Sequence, residues 1–516
     1  MPMCYNGDDQ INHSHMEAYT VNRIAEIYQN SKPILDNIVS FVDSHIGNNL
    51  LRKCHITKIV DEVQEDGGLT YHDNPILRLL GDVEESAVLK KVVSAKDLLI
   101  DKLIVCFAMA TSPYLMFKTD TFFRDYKKDT FYRFDSLEKA NWERLQLETA
   151  AHVINDIEAQ TDNNHVNVLI FDDSLYQRTG GKGTELCSKV YDHVDHKMRL
   201  GYRMMTGAWS NGETTIPFAQ SLLASQKEEL MVGRDEKVDR RTVRGKRREL
   251  AKTKGPVVVQ QMVQHAQKAD IPFDYVLFDT WFSTPSQLTA LKELGADVIA
   301  MVKKGSTKYT VDDPKTGEKR KLDVKEIYSR NRKRRGRSKY LLSVDATIQD
   351  SNGNEMPVKL VYARNRNNRK DWVCFVCTDT DLDEEELLLI YAIRWNIEVY
   401  FKMSKSYLKL RTECHSPNYD AITSHMVIVA LRYMIIAVER FKNSDGRSIE
   451  EIFYQAQREI NSMEMGFVIN LILDLMIESV REVFSATEAQ IQATLCTFVS
   501  KLPAAWRECF VLPESA

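Results

Sequence analysis

Two short apolar runs, each closing on acid, constrain this chain more than any other feature. "VNVLIFDDS" (166–174) and "DYVLFDTWFS" (274–283) read as buried strands with aspartates at their ends. Between them, "MRLGYRMMTGAWSNGETTIPFAQSLL" (198–223) predicts two strands joined by a turn at Asn211–Gly212. "PVVVQQMVQHAQKA" and "PSQLTALKELG" predict helices, and "DVIAMVKKG" predicts a further strand. This alternation describes an α/β sheet whose first strands are antiparallel. From about 305 to 380 the chain turns β-rich, through "KYLLSVDATIQD", "MPVKLVYAR" and "DWVCFVCTD". Residues 1–155 read as helical, with amphipathic stretches such as "SLEKANWERLQLETAAHVIND". The expected organisation is therefore a helical region over 1–155 and an α/β core in two parts, 156–304 and 384–445. A β-rich segment over 305–383 separates those parts, and a helical region over 446–516 follows.

With 516 residues, 43% of them apolar and 28% charged, the chain can bury several cores. "HMVIVALRYMIIAV" (425–438) is short and contains Arg432, so it predicts a buried helix and no membrane span. The N-terminal "MPMCYNGDDQINHSHMEAYT" lacks a secretory pattern, and nine scattered cysteines suggest a reducing cytoplasm. Cys374 and Cys377 sit in a strand-like run, where residues three apart face opposite ways, so they read as buried thiols and not as a metal pair. A net charge of −4 hides segregation. Residues 237–254 hold nine Lys/Arg against two acids, and 318–340 hold eleven against three. Two such runs in an acidic-average protein predict grooves for a phosphate backbone, with Arg332, Lys333, Arg334 and Arg335 at the centre of the second.

"YAIRWNIEVYFKMSK" (391–405) adds a polar stripe. On one helix Tyr391, Arg394, Glu398 and Lys405 fall within a sector of roughly 60°, leaving Ile393, Ile397 and Tyr400 for a core. A solvated face with an Arg–Glu pair is the ordinary reading of such a stripe. What argues against it is the company. Asp172 and Asp279 end buried strands, and polar strand ends are where α/β sheets build sites. Three carboxylates, Asp172, Asp279 and Glu398, converging in a cleft would repel unless divalent cations neutralised them. Mg²⁺ or Mn²⁺ suits oxygen ligands, and two ions about 3.5–4 Å apart clamp both oxygens of a phosphoryl transfer.

The spacing Y-x2-R-x3-E-x6-K at 391–405 resembles the signature of DDE transposases of bacterial cut-and-paste insertion sequences. "VLIFDDS" and "YVLFDTWFS" resemble that family's two aspartate strands, and "SKVYDHVDHKMRLGYRMMTGAWSNG" one branch of it. The resemblance spans about residues 115–440. It implies an α/β ribonuclease H-like catalytic core interrupted by a β-rich insertion, with helical N-terminal and C-terminal regions. It implies Asp172, Asp279 and Glu398 as the catalytic and metal-binding acids, with Mg²⁺ or Mn²⁺, two ions, as cofactor. Tyr391, Arg394, Lys402 and Lys405 would then contact the phosphates of double-stranded DNA, at the transposon inverted-repeat ends and in target DNA. It further implies cleavage, hairpin ends, strand transfer and a homodimer on paired ends. The N-terminal region would bind DNA ends, the C-terminal region would dimerise, and the protein would be cytoplasmic and nucleoid-associated. Asp173 leaves the first ligand open by one residue, the family's acid-x-Ser pattern favouring Asp172 with Ser174. Trp372, 26 residues before Glu398, is either a core residue or a platform for a flipped base. His193 and His196 read as structural, since hard Mg²⁺ does not favour imidazole, and Trp281 reads as packing. A nuclease without strand transfer and an inactive DNA-binding regulator are the competing functions.

Overall fold

In the computed structural model the described residues are 34–64, 88–104, 106–107, 129–162, 165–192, 195–314, 316–334, 338–365, 368, 370–442 and 446–458, with isolated positions between 487 and 501. Val168 to Phe171 are all buried, so this strand is covered on both faces and must lie inside a sheet. It belongs to β3 (Val168–Gln177), the centre of an eleven-stranded sheet. On one side β5 (Lys197–Ser210) runs antiparallel to β3, and along its other edge β5 pairs first with β4 (Ser188–Asp192) and then with β6 (Thr215–Leu223). The Asn211–Gly212 turn closes the β5–β6 hairpin. Asn211 Oδ1 accepts from the N–H groups of Glu213 and Thr214 at 3.2 and 2.9 Å, and Gly212 takes the positive φ of 95° that a side chain would oppose. On the other side β7 (Tyr275–Phe278) and β8 (Asp297–Val302) run parallel to β3. Three antiparallel strands followed by two parallel ones, in the order β6-β5-β3-β7-β8, are compatible with a ribonuclease H-like core.

The β-rich segment does not stand apart. Strands β9 (Tyr309–Asp312), β10 (Lys319–Leu322), β11 (Tyr340–Gln349), β12 (Glu355–Arg364) and β13 (Trp372–Cys377) extend the same sheet, because β13 pairs antiparallel with β8, Cys374 opposite Val302. The N-terminal region also departs from expectation. Its helices α1 (Ile34–Phe41), α2 (Gly47–Lys53), α3 (Ala95–Ile104) and α4 (Asp129–Asp135) are joined by a two-stranded sheet of β1 (Ile59–Gln64) and β2 (Val88–Val93). Each of those strands is six residues long, too short to show a period against its surroundings.

Helix α5 (Trp142–Glu158) starts where Asn141 Oδ1 accepts from Arg144 N at 3.1 Å, and it buries Trp142, Leu145 and Ile154 against β6 and the long helix below. Helices α6 (Val243–Ala251), α7 (Gly255–Lys268), α8 (Pro285–Glu293) and α9 (Val324–Arg330) follow, α9 lying inside the second basic run. Then come α10 (Glu384–Ala392), α11 (Asn396–Ser406) and α12 (Tyr419–Lys442). Helix α12 carries the apolar run at 425–438. It is long and apolar enough to cross a membrane, but its apolar stretch is wholly buried in this fold. Its Arg432 is satisfied inside, on Glu413 at 2.6 Å and on the carbonyl of Leu408 at 3.1 Å. Cys374 and Cys377 are buried free thiols.

Candidate active site

Strand register alone brings two acids together. Phe171 of β3 lies opposite Phe278 of the parallel β7, so the next residues, Asp172 and Asp279, leave adjacent strand ends side by side. Side-chain alternation then separates Asp172 from its neighbour. Asp172 and Ser174 share the face covered by α11, while Asp173 turns to Arg203 of β5, Nε to Oδ2 2.6 Å. Arg203 was not singled out from sequence; only its cross-strand place opposite Leu175 reveals it.

The third acid comes from α11, but the polar stripe is not one helix. Ile393–Trp395 form a tighter turn between α10 and α11. Three residues at about 120° each, instead of 100°, rotate the second helix by roughly 60° from a straight continuation. Tyr391 therefore leaves the stripe: it packs on Phe375 of β13, ring centroids 4.7 Å apart, with its hydroxyl buried and without a hydrogen bond. Glu398 stays over the strand ends because α11 is pinned. Ile397, Tyr400 and Phe401 are buried, Gln220 of β6 donates to the Tyr400 hydroxyl at 2.9 Å, and Asn396 Nδ2 donates to Ser210 Oγ at 3.2 Å.

Arg394 links the cluster. Its Nη1 lies 3.1 Å from Asp172 Oδ2 and 3.6 Å from Glu398 Oε1. Lys405 donates from Nζ to Ser174 Oγ. Both cations thus face the acid-bearing strand. Lys402 does not: its Nζ sits on Glu450 at 3.0 Å, away from the acids.

Even with Arg394 present the cluster lacks positive charge. Burial, then the neighbouring Asp279, pushes the Asp172 carboxyl up to about 8, against the pull of Arg394. Burial also raises Asp279, with Asp173 and Glu398 adding to it. Burial holds the Lys405 ammonium down to about 8, helped by Arg411. Among the described residues no group of three or more His, Cys, Asp or Glu is gathered tightly enough to hold a metal ion, since Asp172 and Glu398 are arranged around the Arg394 guanidinium. The donors nonetheless suit a divalent cation: they are carboxylate oxygens, desolvated and mutually repelling.

This carries a stability prediction. A carboxyl raised from 3.8 to about 8 favours the fold when protonated, so its contribution is full below pH 4 and is lost as pH rises toward 8. Lys405 acts above that window, where stability recovers as its ammonium deprotonates. In EDTA the wild-type melting temperature should fall between pH 5.5 and 8 more steeply than that of Asp172→Asn. Scanning calorimetry checks this, and parallel curves would refute the burial assigned to Asp172.

The first basic run does not line a groove as expected. Arg244, Arg247 and Arg248 of α6 turn inward onto the buried Asp420, at 3.0, 2.5 and 2.8 Å, and onto Glu143 and Glu185. Arg240, Arg241 and Lys252 pair with Glu249, Asp239 and Asp235. An α-helix among acids on three other elements gives no sequence signal beyond its charge. In the second run Arg332 and Arg334 are exposed, Lys333 Nζ stands 4.6 Å from the Tyr328 ring centroid, and Arg335 lies outside the described residues. Trp372 is half-buried, stacked on Tyr328 at 4.7 Å with Lys304 Nζ 4.2 Å from its centroid. Trp281, expected to pack, is exposed, with Lys303 Nζ 5.3 Å from its ring. His196 contacts Tyr191 at 3.3 Å, and His193 lies outside the described residues.

A mixed sheet with acids at the ends of adjacent parallel strands defines a class of nucleic-acid-processing fold. Residues 115–341 match the family model of the DDE superfamily endonucleases. The match supports a DDE transposase-like family and a nuclease-type enzyme. It includes Asp172 and Asp279 and ends before Glu398. No curated protein matches the chain.

Proposed function

We propose that this chain is a DDE transposase acting on double-stranded DNA, with Asp172, Asp279 and Glu398 as its acids. The observation that carries the reading is the position of Asp172 and Asp279 at the ends of adjacent parallel strands, with Glu398 joined to Asp172 through Arg394. The endonuclease match supports it. These carboxylates would hold one or two Mg²⁺ or Mn²⁺ ions, which supply an activated water and offset charge on the phosphate being displaced.

The chain's own residues do the rest. Arg394 neutralises the acids and orients Asp172. Lys405, fixed on Ser174, sets a positive charge beside the strand end for a phosphate oxygen. Asp173 is held by Arg203, which leaves Asp172 to face the cluster. On this reading the protein binds terminal inverted repeats as a homodimer, forms hairpin ends, joins 3′-hydroxyl ends to target DNA and works in the bacterial cytoplasm at the nucleoid.

The test is incubation of purified protein with Mg²⁺ and a plasmid carrying the DNA that flanks its own gene. Cleavage at the element's ends, followed by joining of a pre-cut end to a second plasmid, is expected. Cleavage without joining would identify a nuclease lacking strand transfer. Binding without any Mg²⁺-dependent cleavage would identify a regulator.

Arg332, Lys333 and Arg334 would supply phosphate contacts. Their triple replacement by Ala should weaken binding to any duplex and flatten the salt slope by up to about three units, one for each phosphate no longer neutralised. Polarisation titrations across a salt series measure this, and an unchanged slope would show that the segment is a solvated loop.

A further inference from the structure

Trp281 and Trp395 differ from the other described tryptophans. Trp142 and Trp209 are buried in the core, and Trp372 is half-buried in its stack. Trp281 is 53% exposed and Trp395 65%. Both belong to segments that carry the acids. Trp281 follows Asp279 by two residues, and Trp395 lies next to Arg394 and three residues before Glu398.

Trp281 is held in place. Its backbone N–H donates to Asp279 Oδ1 at 3.0 Å, and Lys303 Nζ stands 5.3 Å from its ring centroid. Single exposed apolar residues are ordinary on protein surfaces. Two exposed indoles on the two stretches of chain that bear one acidic cluster are not explained by packing. An aromatic face with a cation beside it fits one chemistry in particular: a base has a π face for the ring, and its phosphate meets the ammonium.

We propose that Trp281 and Trp395 form a stacking subsite for unpaired nucleobases flanking the acidic cluster, with Lys303 at the neighbouring phosphate. The proposal rests on the nuclease reading above, which puts DNA at these carboxylates. It adds that the strand enters locally unpaired, so single-stranded or frayed DNA is preferred to a closed duplex next to the acids.

The experiment measures fluorescence polarisation of the full chain in EDTA, with labelled oligo(dT) and with a blunt mixed-sequence duplex. Trp281→Ala and Trp395→Ala should each weaken oligo(dT) binding by about fivefold to a hundredfold, with duplex binding changed by less than about twofold. Trp281→Phe, which keeps a ring, should retain most of the affinity. Equal losses on both probes, or no loss on oligo(dT), would overturn the subsite. A Mg²⁺ cleavage assay separates this from the underlying reading. Tryptophan-dependent oligo(dT) binding by a protein that cuts no DNA would overturn the nuclease reading and leave the subsite standing. A protein that cuts DNA, while Trp281→Ala and Trp395→Ala bind oligo(dT) like wild type, would overturn the subsite alone.

Discussion

Asp279→Asn should lower the single-turnover rate of Mg²⁺-dependent DNA cleavage by about a thousandfold or more while leaving DNA binding nearly unchanged. The amide keeps the size of the side chain and its acceptor for the Trp281 N–H, so the strand end keeps its shape. What disappears is a negative charge where the site gathers cations. Removing one preorganised electrostatic group from a low-dielectric site commonly costs about 10²–10³ in rate, and a metal ligand should cost at least that. Asp172→Asn and Glu398→Gln should behave alike. Asp173→Asn should retain cleavage, because Asp173 is engaged with Arg203. Arg394→Ala adds a sign. Arg394 draws the Asp172 carboxyl downward, so its removal should move the acid limb of the pH–rate profile to higher pH. Wild-type cleavage by Asp279→Asn would refute the assignment of the acids.

Asp420→Ala should lose about 3–5 kcal/mol of stability without touching the acid cluster. Asp420 is fully buried and accepts from Arg244, Arg247 and Arg248. Those arginines also reach Glu143, Glu185, Glu138 and Glu236, so the network holds α6 against α5, the loop before β4 and the start of α12. Deleting its central carboxylate leaves guanidinium charge in a place water reaches poorly. A drop of about 10 °C in melting temperature is expected. Arg241→Ala, which breaks an exposed pair with Asp239, should leave melting unchanged. Equal melting temperatures for the two variants would show that the α6 arginines are solvated after all.

The contrast shows what sequence could convey. The buried strands at 168–171 and 275–278, the Asn211–Gly212 turn and the buried run at 425–438 rest on local patterns, and local patterns survive folding. The adjacency of Asp172 and Asp279 followed once both strands were read as ending in acid. Partner choice was not legible. Charge counting marked Arg244, Arg247 and Arg248 as cations for DNA, because Asp420, which neutralises them, lies more than 170 residues away. The turn at Ile393–Trp395 contains no Gly or Pro, so nothing in the spelling of 391–405 announces that the stripe is broken. The exposure of Trp281 was hidden for the same reason: an indole after a buried strand reads as core until its surroundings are known.

The pairing of β13 with β8 has a consequence for how such a chain can change. Without the 305–383 segment, β8 would become a bare parallel edge, a row of unpaired amides and carbonyls two strands from the acids. Such an edge invites joining by other chains and aggregation. A loop-tethered module could be trimmed or exchanged freely, but this one is hydrogen-bonded into the strand that backs the acidic cluster. Shortening its hairpins is tolerable; excising it would leave a protein that sticks to itself before it could meet DNA.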